Sequence, residues 1–436
     1  MRRILITSLL FLIIYCSIVY SQTLPDDPYF KAQVYLYNDN ITKYDAGFLD
    51  LYNYYKNNRD EILGHYNTYK GTNYPVVAII DTDFNITDPD IKDRIYINTD
   101  EIPDNNLDDD NNGWIDDHDI INIVDGKTYK TKNALEEKIN NKTKWFGEEL
   151  YNTKYPPVDE FDKNPYYHGQ VVATIIAASI NNNTGLAGII PDEIKILPIQ
   201  AGHKAGFLWT TIRDSIDYII DMKKEGVNIV AVNMSFGGNY YERNIFGKPA
   251  TIGGKDIMEE KLKKLAENNI LFVVAAGNNS HSLDIADLYP ASYGLENSIV
   301  VGAASASGRA SAPSNYGDSS VDIFAVAQFD NSSVNVNDYF YRLIDVDEIA
   351  YTSFATAVVT GSVAVAALLY PECNSVELKE LILESYRPTS KLYKMAKKGG
   401  IVALSGKDGV GLVTDGKLNY HLRYKICKSI NNKNNL

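Results

Sequence analysis

The sequence has few cysteine, tryptophan and histidine residues, and basic residues do not outnumber acidic ones. Its 436 residues include 3 Cys, 3 Trp and 6 His. A small scaffold held together by many disulfides is therefore excluded, as is a zinc cluster built from cysteines. The 42 Lys and Arg residues against 56 Asp and Glu give a formal net charge of −14. Nucleic acid is therefore not an expected partner.

Long hydrophobic runs are also rare, and neither an internal repeat nor a proline-rich linker interrupts the chain. Apolar residues make up 45% and charged residues 22%, a composition typical of globular proteins with a full core. A multi-pass membrane protein is excluded, since such a protein needs several apolar stretches of about 20 residues. We expect a single domain over residues 22–427, with a polar surface insertion at about 125–164 and a polar tail at 428–436.

The N-terminus is typical of an export signal. Two arginines precede an apolar run from Ile4 to Tyr15, and weakly polar residues follow as far as Ser21. This pattern predicts a signal peptide over residues 1–21, and thus a secreted or cell-envelope protein. A permanent anchor helix and a lipid anchor at Cys16 are the alternatives, although the bulky Tyr15 before Cys16 is a poor match to a lipidation site.

Cleavage after residue 21 leaves two cysteines, Cys373 and Cys427. An exported protein is exposed to oxidising conditions, so a single disulfide between them is permitted. Two free buried thiols are the alternative, and the sequence does not choose between these states.

Short runs rich in Val and Ile alternate with helical patterns. The runs lack strict polar alternation, as expected of central parallel strands that are covered on both faces. We therefore predict an α/β fold, with a doubly wound, mostly parallel sheet and helices on both faces. The predicted strands are Val76 to Ile80, Ile196 to Gln200, Ile229 to Asn233, Leu271 to Ala275 and Ser298 to Gly302, and the predicted helices are Val171 to Ile180, Leu208 to Lys224, Asp256 to Glu267 and Ser353 to Tyr370.

One histidine and one aspartate lie where catalytic groups are held rigidly. His168 opens an apolar helix, and the following Gly169 would let another backbone segment approach closely. Asp81 ends a buried strand, and open α/β sheets place functional groups at the carboxyl ends of their strands. A histidine with no catalytic role near a helix start is the alternative for His168.

Ser353 follows a turn and begins a third apolar segment. Serine is common at helix starts because its hydroxyl caps the free backbone N–H groups, and capping is the plain alternative for Ser353. Capping, however, does not account for Asp81 and His168 in the same chain. An Asp-His-Ser triad accounts for all three residues.

In these motifs the chain resembles the subtilisin-like serine proteases (subtilases, peptidase S8), which have acid, base and nucleophile in the order Asp81, His168, Ser353. Two further segments carry the resemblance. Residues 231–238, AVNMSFGG, resemble the family's substrate-cradling strand and loop, and residues 273–278, VVAAGN, resemble one wall of its primary specificity pocket. By this resemblance, Ser235, Phe236, Gly237, Ala276, Gly277 and Tyr351 would contact substrate, and Asn278 would supply an amide to the oxyanion hole.

The resemblance implies a serine endopeptidase that hydrolyses protein or peptide substrates through an acyl-enzyme intermediate. The N-terminal pattern predicts that it is exported, and we expect a monomer. The pocket residues are uncharged, which favours apolar or medium-sized substrate side chains. Two departures from the family pattern, Tyr351 and Asp83, each stand where a glycine is usual. They sustain a second hypothesis, a catalytically impaired peptide-binding protein. An esterase or peptide ligase that uses the same triad is a third.

A separate acidic segment, residues 108–119, has the spacing of a calcium loop. Asp108, Asp110 and Asn112 alternate and precede Gly113, as oxygen ligands and a turn glycine do in such loops. Asp116 or Asp117 would complete the coordination shell. The sequence therefore predicts a structural Ca²⁺ site, with an acidic solvated loop as the alternative.

Overall fold

The computed structural model describes residues 23–37, 44–130, 168–203, 206–238, 241–243, 249–251, 255–330, 350–407 and 409–427. The predicted signal peptide with Cys16, most of the predicted insertion and the C-terminal tail lie outside these ranges. The helices of the described part are α1 (Phe48–Lys70), α2 (His168–Ala177), α3 (Trp209–Lys224), α4 (Lys255–Glu267), α5 (Thr352–Leu369), α6 (Ser375–Glu384) and α7 (Tyr420–Ile426), with 3₁₀ turns at Phe30–Ala32, Lys92–Arg94, Ala291–Tyr293 and Ser390–Leu392.

The described strands form one large sheet and several small ones. They are β1 (Val76–Asp81), β2 (Trp114–Ile115), β3 (Ile121–Asn122), β4 (Tyr129–Lys130), β5 (Lys195–Gln200), β6 (Gly202–His203), β7 (Gly206–Phe207), β8 (Ile229–Met234), β9 (Tyr241–Arg243), β10 (Pro249–Thr251), β11 (Leu271–Ala275), β12 (Ser298–Ala304), β13 (Ile323–Val326), β14 (Tyr386–Pro388), β15 (Gly400–Val402), β16 (Ser405–Gly406), β17 (Val413–Thr414) and β18 (Lys417–Leu418).

The large sheet has nine strands in the order β14-β15-β13-β12-β11-β8-β1-β5-β3. Its pairs are parallel, except that the edge strand β14 runs antiparallel to β15. β1, β8 and β11 are buried along their whole length. The predicted fold class, a doubly wound and mostly parallel sheet, is confirmed.

The helices cover the sheet in two groups. α5 packs against α2 and against the central strands, whereas α3 and α4 pack against each other and against β8 and β11. In α5 every residue is buried. This helix is also long and apolar enough to cross a membrane, but it is buried inside the protein. Its apolar character is that of a core helix.

The strands and helices that were predicted agree with the structure to within a few residues, and the largest difference in bounds lies at helix α2. We predicted an apolar helical run from Val171 to Ile180 with His168 at the helix start; the helix begins at His168, as expected, and ends at Ala177. The sequence analysis did not predict α1, because its many Tyr and Asn residues are weaker helix formers than Ala or Leu. Packing of Phe48, Leu51 and Tyr66 into the core holds α1 in place.

The two remaining cysteines form a disulfide between Cys373 and Cys427, with their Cα atoms 5.3 Å apart. Both cysteines are buried. The bond joins the segment between α5 and α6 to the residue that follows α7. The structure thus decides between the two states that the sequence left open.

Candidate active site

Asp81 is the last residue of β1 and lies at the carboxyl edge of the sheet, opposite Gln200 of β5. Its side chain is fully buried. Its Oδ1 accepts hydrogen bonds from the backbone N–H of Thr82 at 2.7 Å and from Nδ1 of His168 at 2.7 Å. Its Oδ2 is also buried and has no hydrogen-bond partner within the described ranges. The carboxylate is therefore oriented mainly through Oδ1.

His168 begins α2, and Gly169 lets this helix approach β1. A Cβ at position 169 would lie 2.7 Å from the carbonyl oxygen of Thr82, closer than real Cβ atoms come to other heavy atoms. Burial disfavours the imidazolium, but the charge and the hydrogen bond of Asp81 outweigh this effect, and the net result is a raised pKa for His168. The arrangement suits a base that must hold a proton while Asp81 stabilises the resulting cation.

Ser353 is the second residue of α5, whose N-cap is Tyr351 and lacks a side-chain capping bond. Its Oγ donates to the backbone carbonyl of Ser235 at 3.0 Å, and its own carbonyl accepts from Ser235 Oγ at 2.9 Å. The serine hydroxyl therefore does not cap the helix. Its hydrogen bonds join the start of α5 to the residue that follows β8.

Aromatic rings bring the start of α5 next to the histidine. The ring of Phe354 stacks on the imidazole of His168, with centroids 6.3 Å apart. The ring of the half-buried Tyr351 packs edge-on against the ring of Phe354, with centroids 6.3 Å apart. The bulky side chain that replaces the expected glycine is thus packed on Phe354 and belongs to the wall beside His168.

Asn278 follows β11 and is held by Thr352. Its Oδ1 accepts from the backbone N–H of Thr352 at 2.9 Å and from the hydroxyl of Thr352 at 3.0 Å. Because both contacts use the amide oxygen, the NH₂ end of the amide points away from Thr352. Asn278 is exposed, so its NH₂ group can donate to a ligand that enters the site.

The loop that carries Asn278 is shaped by Gly277 and Asn315. Gly277 has a φ of +95°, and a Cβ there would lie 2.4 Å from Leu288 Cδ2 and 2.6 Å from Asn315 Nδ2. The Asn315 side chain donates to the Ala276 carbonyl and accepts from the backbone N–H groups of Asn279 and His281. Only glycine fits at position 277, since it must combine a positive φ with close contacts.

The segment from Ser235 to Gly238 follows β8 at the same edge of the sheet. Gly238 exchanges two backbone hydrogen bonds of 2.9 Å with Tyr289. Phe236 is half-buried and packs on Phe207 of β7, with ring centroids 4.5 Å apart. The structure thus brings the predicted substrate-binding segment of residues 235–237 to the edge that carries Asp81.

Asp83, the second carboxylate near Asp81, turns to a different group of side chains. Its Oδ1 accepts from Gln200 Nε2 at 3.2 Å and lies 3.4 Å from His203 Nδ1. The other ring nitrogen of His203 lies 2.8 Å from Asp125 Oδ1. The hydrogen bonds to Asp125 and Asp83 raise the pKa of His203 to about 9. Asp83 is therefore part of an ion-paired cluster with His203 and Asp125.

Two carboxylates of the predicted calcium loop lie beside a third carboxylate from outside it. Asp110, Asp117 and Glu101 each offer one oxygen, and these three oxygens lie within 4.8 Å of one another. Burial raises the pKa of Asp117 to about 6 and also raises that of Glu101. The amide NH₂ groups of Asn98 and Asn112 donate to Asp110 and Asp117. Glu101 was not among the predicted ligands, because it lies seven residues before the acidic segment.

Two other predicted ligands, Asp116 and Asp108, are not among these three converging carboxylates. The Asp116 carboxylate accepts from the backbone N–H groups of Asn105 and Asn106. Asp108 Oδ2 accepts from the N–H of Gly113 at 3.1 Å, while its Oδ1 is buried and has no hydrogen-bond partner among the described residues. A buried carboxylate oxygen without a donor is compatible with a bound cation.

Comparison with known families decides the relationship of the chain. The model of the subtilase family, peptidase S8, matches residues 72–411, well over half of the sequence. The chain belongs to the subtilase family. This match includes Asp81, His168, Asn278 and Ser353, and it confirms the resemblance seen in the motifs.

Two curated relatives illustrate the family. A thermophilic serine proteinase from Bacillus sp. (strain AK1) is 31% identical over 237 residues, which cover 54% of this chain and 49% of the relative. An extracellular basic protease from Dichelobacter nodosus is 29% identical over 227 residues, which cover 51% of this chain and 34% of the relative. The matched regions thus span half or less of these relatives.

Solved structures share the fold at low sequence identity. A protease from Pseudoalteromonas arctica is 18% identical with a TM-score of 0.53, and the match covers 87% of this chain and 97% of the other. A chain from a subtilase cytotoxin assembly is 17% identical with a TM-score of 0.50, covering 85% and 97%. These similarities support the subtilase fold alone.

Sequence reasoning missed several residues that shape the site. Thr352 orients Asn278, and Asn315 holds the loop of Gly277. Asn233 lies in the middle of the sheet and bonds to Ser235 and Thr360. The signal for Asn233 was present in the sequence, since an amide in a strand that is otherwise apolar must find buried partners.

Proposed function

We propose that this subtilase is a serine endopeptidase in which Ser353 is the nucleophile, His168 the general base and Asp81 the orienting acid. The observation that carries this proposal is the 2.7 Å hydrogen bond between Asp81 Oδ1 and His168 Nδ1, beside the start of the helix that bears Ser353. The Asp81 contact fixes the tautomer in which Nε2 of His168 is free to accept a proton.

The reaction is acyl transfer. Ser353 Oγ attacks the carbonyl carbon of the scissile peptide bond, and its proton passes to Nε2 of His168. The imidazolium then gives this proton to the leaving amine as the C–N bond breaks. A water molecule, deprotonated by His168, hydrolyses the acyl ester and restores the Ser353 hydroxyl.

Asn278 would stabilise the negative oxygen that forms during both additions. Its amide oxygen is occupied by Thr352, so its NH₂ group is available as a donor. The backbone N–H of Ser353, at the start of a helix, would be the second donor. Fixed donors of this kind act most strongly where charge develops in the transition state.

Protein or peptide substrates would lie along residues 235–237 and opposite residues 276–277, with Tyr351 at the wall near His168. The uncharged residues of both segments favour apolar or medium-sized side chains before the cleaved bond. The N-terminal pattern of residues 1–21 supports export, and a relative from Dichelobacter nodosus is named an extracellular protease. A monomeric, secreted or cell-envelope enzyme is the corresponding proposal.

Calcium binding by the acidic loop is a second part of the proposal. Asp110 and Asp117, together with Glu101, offer converging oxygens. Hard oxygen ligands of this kind suit Ca²⁺. The metal would neutralise the buried carboxylates and stabilise the fold, since the triad chemistry needs no metal.

One observation favours a second candidate function, peptide binding without turnover. In the structure the Ser353 hydroxyl donates to the Ser235 carbonyl. A hydroxyl that stayed in this position would not transfer its proton to His168. The fold would then hold a peptide along residues 235–237 without cleaving it.

Labelling with a fluorophosphonate probe distinguishes the two functions, because the probe reacts only with an activated serine. We expect labelling of the purified protein but not of a Ser353→Ala variant, in calcium and in chelator. Labelling of wild type that survives in Ser353→Ala would contradict the assignment of the nucleophile. A folded, calcium-loaded wild type that is not labelled would favour the peptide-binding function.

A further inference from the structure

A chain of buried polar side chains leads from the middle of α5 to the start of the same helix by way of β8. It consists of Thr360, Asn233 and Ser235 and ends on the backbone carbonyl of Ser353. Thr360 and Asn233 are fully buried, and Ser235 is 4% exposed. All three lie among apolar neighbours, where a polar group is costly unless it is hydrogen-bonded.

One assignment of donors and acceptors runs in a single direction along these side chains, with the Thr360 hydroxyl proton directed at Asn233 Oδ1. The Thr360 hydroxyl lies 3.0 Å from Asn233 Oδ1, and it also lies 2.8 Å from the carbonyl of Thr356. With the amide oxygen facing Thr360, Asn233 Nδ2 donates to Ser235 Oγ at 2.9 Å. Because an amide NH₂ cannot accept, the hydroxyl proton of Ser235 must point elsewhere, and it points to the Ser353 carbonyl at 2.9 Å.

Ser235 and Ser353, where this series of side chains ends, share a second hydrogen bond. Ser235 Oγ donates to the carbonyl of Ser353, and Ser353 Oγ donates to the carbonyl of Ser235. Two reciprocal bonds fix the position and rotation of the first turn of α5 relative to the end of β8. Only the bond from Ser235 Oγ does not involve the Ser353 hydroxyl, so this bond still holds the backbone of Ser353 when that hydroxyl points elsewhere.

A purely structural explanation of Asn233 is weak. Its neighbours in β8, Val232 and Met234, are apolar and fully buried, and the strand lies at the centre of the sheet. An apolar residue at this position would need no buried hydrogen-bond partners. The amide instead has two partners, and both belong to a chain that leads to Ser353.

We propose that Thr360, Asn233 and the side chain of Ser235 are positioning residues for Ser353. They hold the backbone of the nucleophile so that its Oγ lies within reach of His168 when the hydroxyl leaves the Ser235 carbonyl. This proposal rests on the proposed protease function. It assigns these three side chains a role in turnover, whereas the sequence analysis gave Ser235 only a place in the substrate-binding segment.

The first test uses Thr360, because this residue lies two helical turns from Ser353 and is not part of the predicted substrate segment, residues 235–237. Thr360→Val removes the hydroxyl and keeps the shape, and Thr360→Ser restores the hydroxyl. We expect Thr360→Val to lower kcat on a peptide substrate about tenfold with little change in KM, since small misplacement of a reacting group slows turnover. Thr360→Ser should recover most of the loss.

The matched control is Ser362→Ala. Ser362 is also fully buried in α5, and among the described residues its hydroxyl bonds only within the helix, to the Val358 carbonyl at 2.8 Å. This variant loses a buried hydroxyl but keeps the hydrogen bonds that join Thr360, Asn233 and Ser235, so kcat should equal that of wild type. Concentrations of active enzyme are corrected by titration with the fluorophosphonate probe, so that misfolded protein does not count as slow enzyme.

A double variant tests whether the residues act as one chain. Ser235→Ala removes the last link and should lower kcat at least as much as Thr360→Val. Once that link is missing, Thr360→Val should reduce kcat no further. This comparison holds even if one single variant folds poorly, because Asn233→Ala can replace Thr360→Val in the same cycle.

The outcomes separate this proposal from the proposed function. A labelled, active wild type together with Thr360→Val that melts at a lower temperature but keeps wild-type kcat would overturn the positioning role alone. Losses that multiply in the double variant would also overturn it. A wild type that neither hydrolyses peptides nor reacts with the probe would overturn both the protease function and the positioning role.

Discussion

Nε2 of His203 lies 2.8 Å from Oδ1 of Asp125, while Nδ1 of the same ring lies 3.4 Å from Asp83. The imidazole therefore lies between two carboxylates, three positions after the end of the strand that pairs with β1. The hydrogen bonds to Asp125 and Asp83 raise the pKa of His203 to about 9, and the bond between His203 and Asp125 lowers the pKa of Asp125.

This cluster predicts a loss of stability at alkaline pH. A histidine whose pKa is higher in the folded than in the unfolded state stabilises the fold fully below about pH 6.5, and it loses that contribution as the pH rises toward 9. Asp125 is 40% exposed, so solvent screening reduces the effect to about 1 to 2 kcal/mol. Urea unfolding at pH 6 and pH 9 measures it.

His203→Gln should flatten this dependence between pH 6 and pH 9. The control is His421→Gln, which changes an exposed histidine of α7 and should leave the dependence unaltered. An equally steep decline in His203→Gln and wild type would show that other groups cause it.

The amide of Asn278 predicts a large effect on turnover. Asn278→Ala should lower kcat by about 10²- to 10³-fold, the range known for removal of one oxyanion-hole donor from serine proteases of this kind. KM should change much less, because the donor acts mainly on the transition state. Steady-state hydrolysis of a peptide substrate measures both constants.

Two further variants test whether the NH₂ group of Asn278, rather than its oxygen, is the group that matters for turnover. Asn278→Asp keeps an oxygen for the Thr352 contacts but replaces the NH₂ group with a negative oxygen, so it should be at least as impaired. Asn279→Ala, one residue later, should turn over normally. Near-normal kcat in Asn278→Asp would mean that this amide does not stabilise the oxyanion.

The close approach at Gly169 predicts a steric effect on His168. Gly169→Ala places a methyl group 2.7 Å from the Thr82 carbonyl and 3.1 Å from Asp81 Cβ. The helix must then move away from β1, with a cost of about 1 to 3 kcal/mol in stability and a lengthened Asp81–His168 contact. The melting temperature and kcat should both decline.

Gly64→Ala is the matched control for that change. Gly64 lies within α1, where an added Cβ meets nothing within 4 Å. Alanine in a helix interior is favoured over glycine by about 0.5 to 1 kcal/mol, so this variant should be slightly more stable and fully active. A Gly169→Ala protein that behaved like Gly64→Ala would disprove the close approach.

The disulfide predicts sensitivity to reduction. Cys373 and Cys427 are 54 positions apart, so the bond restricts a long loop of the unfolded chain. Its loss should reduce stability by about 2 to 4 kcal/mol. Reductant should therefore lower the melting temperature of wild type. The double variant Cys373→Ser, Cys427→Ser should melt at that lower temperature with or without reductant, and a double variant as stable as oxidised wild type would contradict the prediction.

The sequence by itself determined five strands of the large sheet, four of the helices and the family. Val76–Asp81 and Leu271–Ala275 are local apolar runs, and the pattern of Thr352–Leu369 is equally local, so neighbouring residues suffice to predict them. The motifs around Asp81, His168 and Ser353 likewise identified the subtilase family, because each depends on residue types a few positions apart.

The tertiary structure alone decided which side chains meet. The carboxylate of Asp83 turns to His203 rather than standing beside Asp81, and Glu101 joins Asp110 and Asp117, because strand order and loop packing set these distances. The Cys373–Cys427 pair and the bond from Ser353 to the Ser235 carbonyl have the same origin. Such contacts join residues far apart in the chain, and only the packing of β8 against α5 and of the sheet against its helices fixes them.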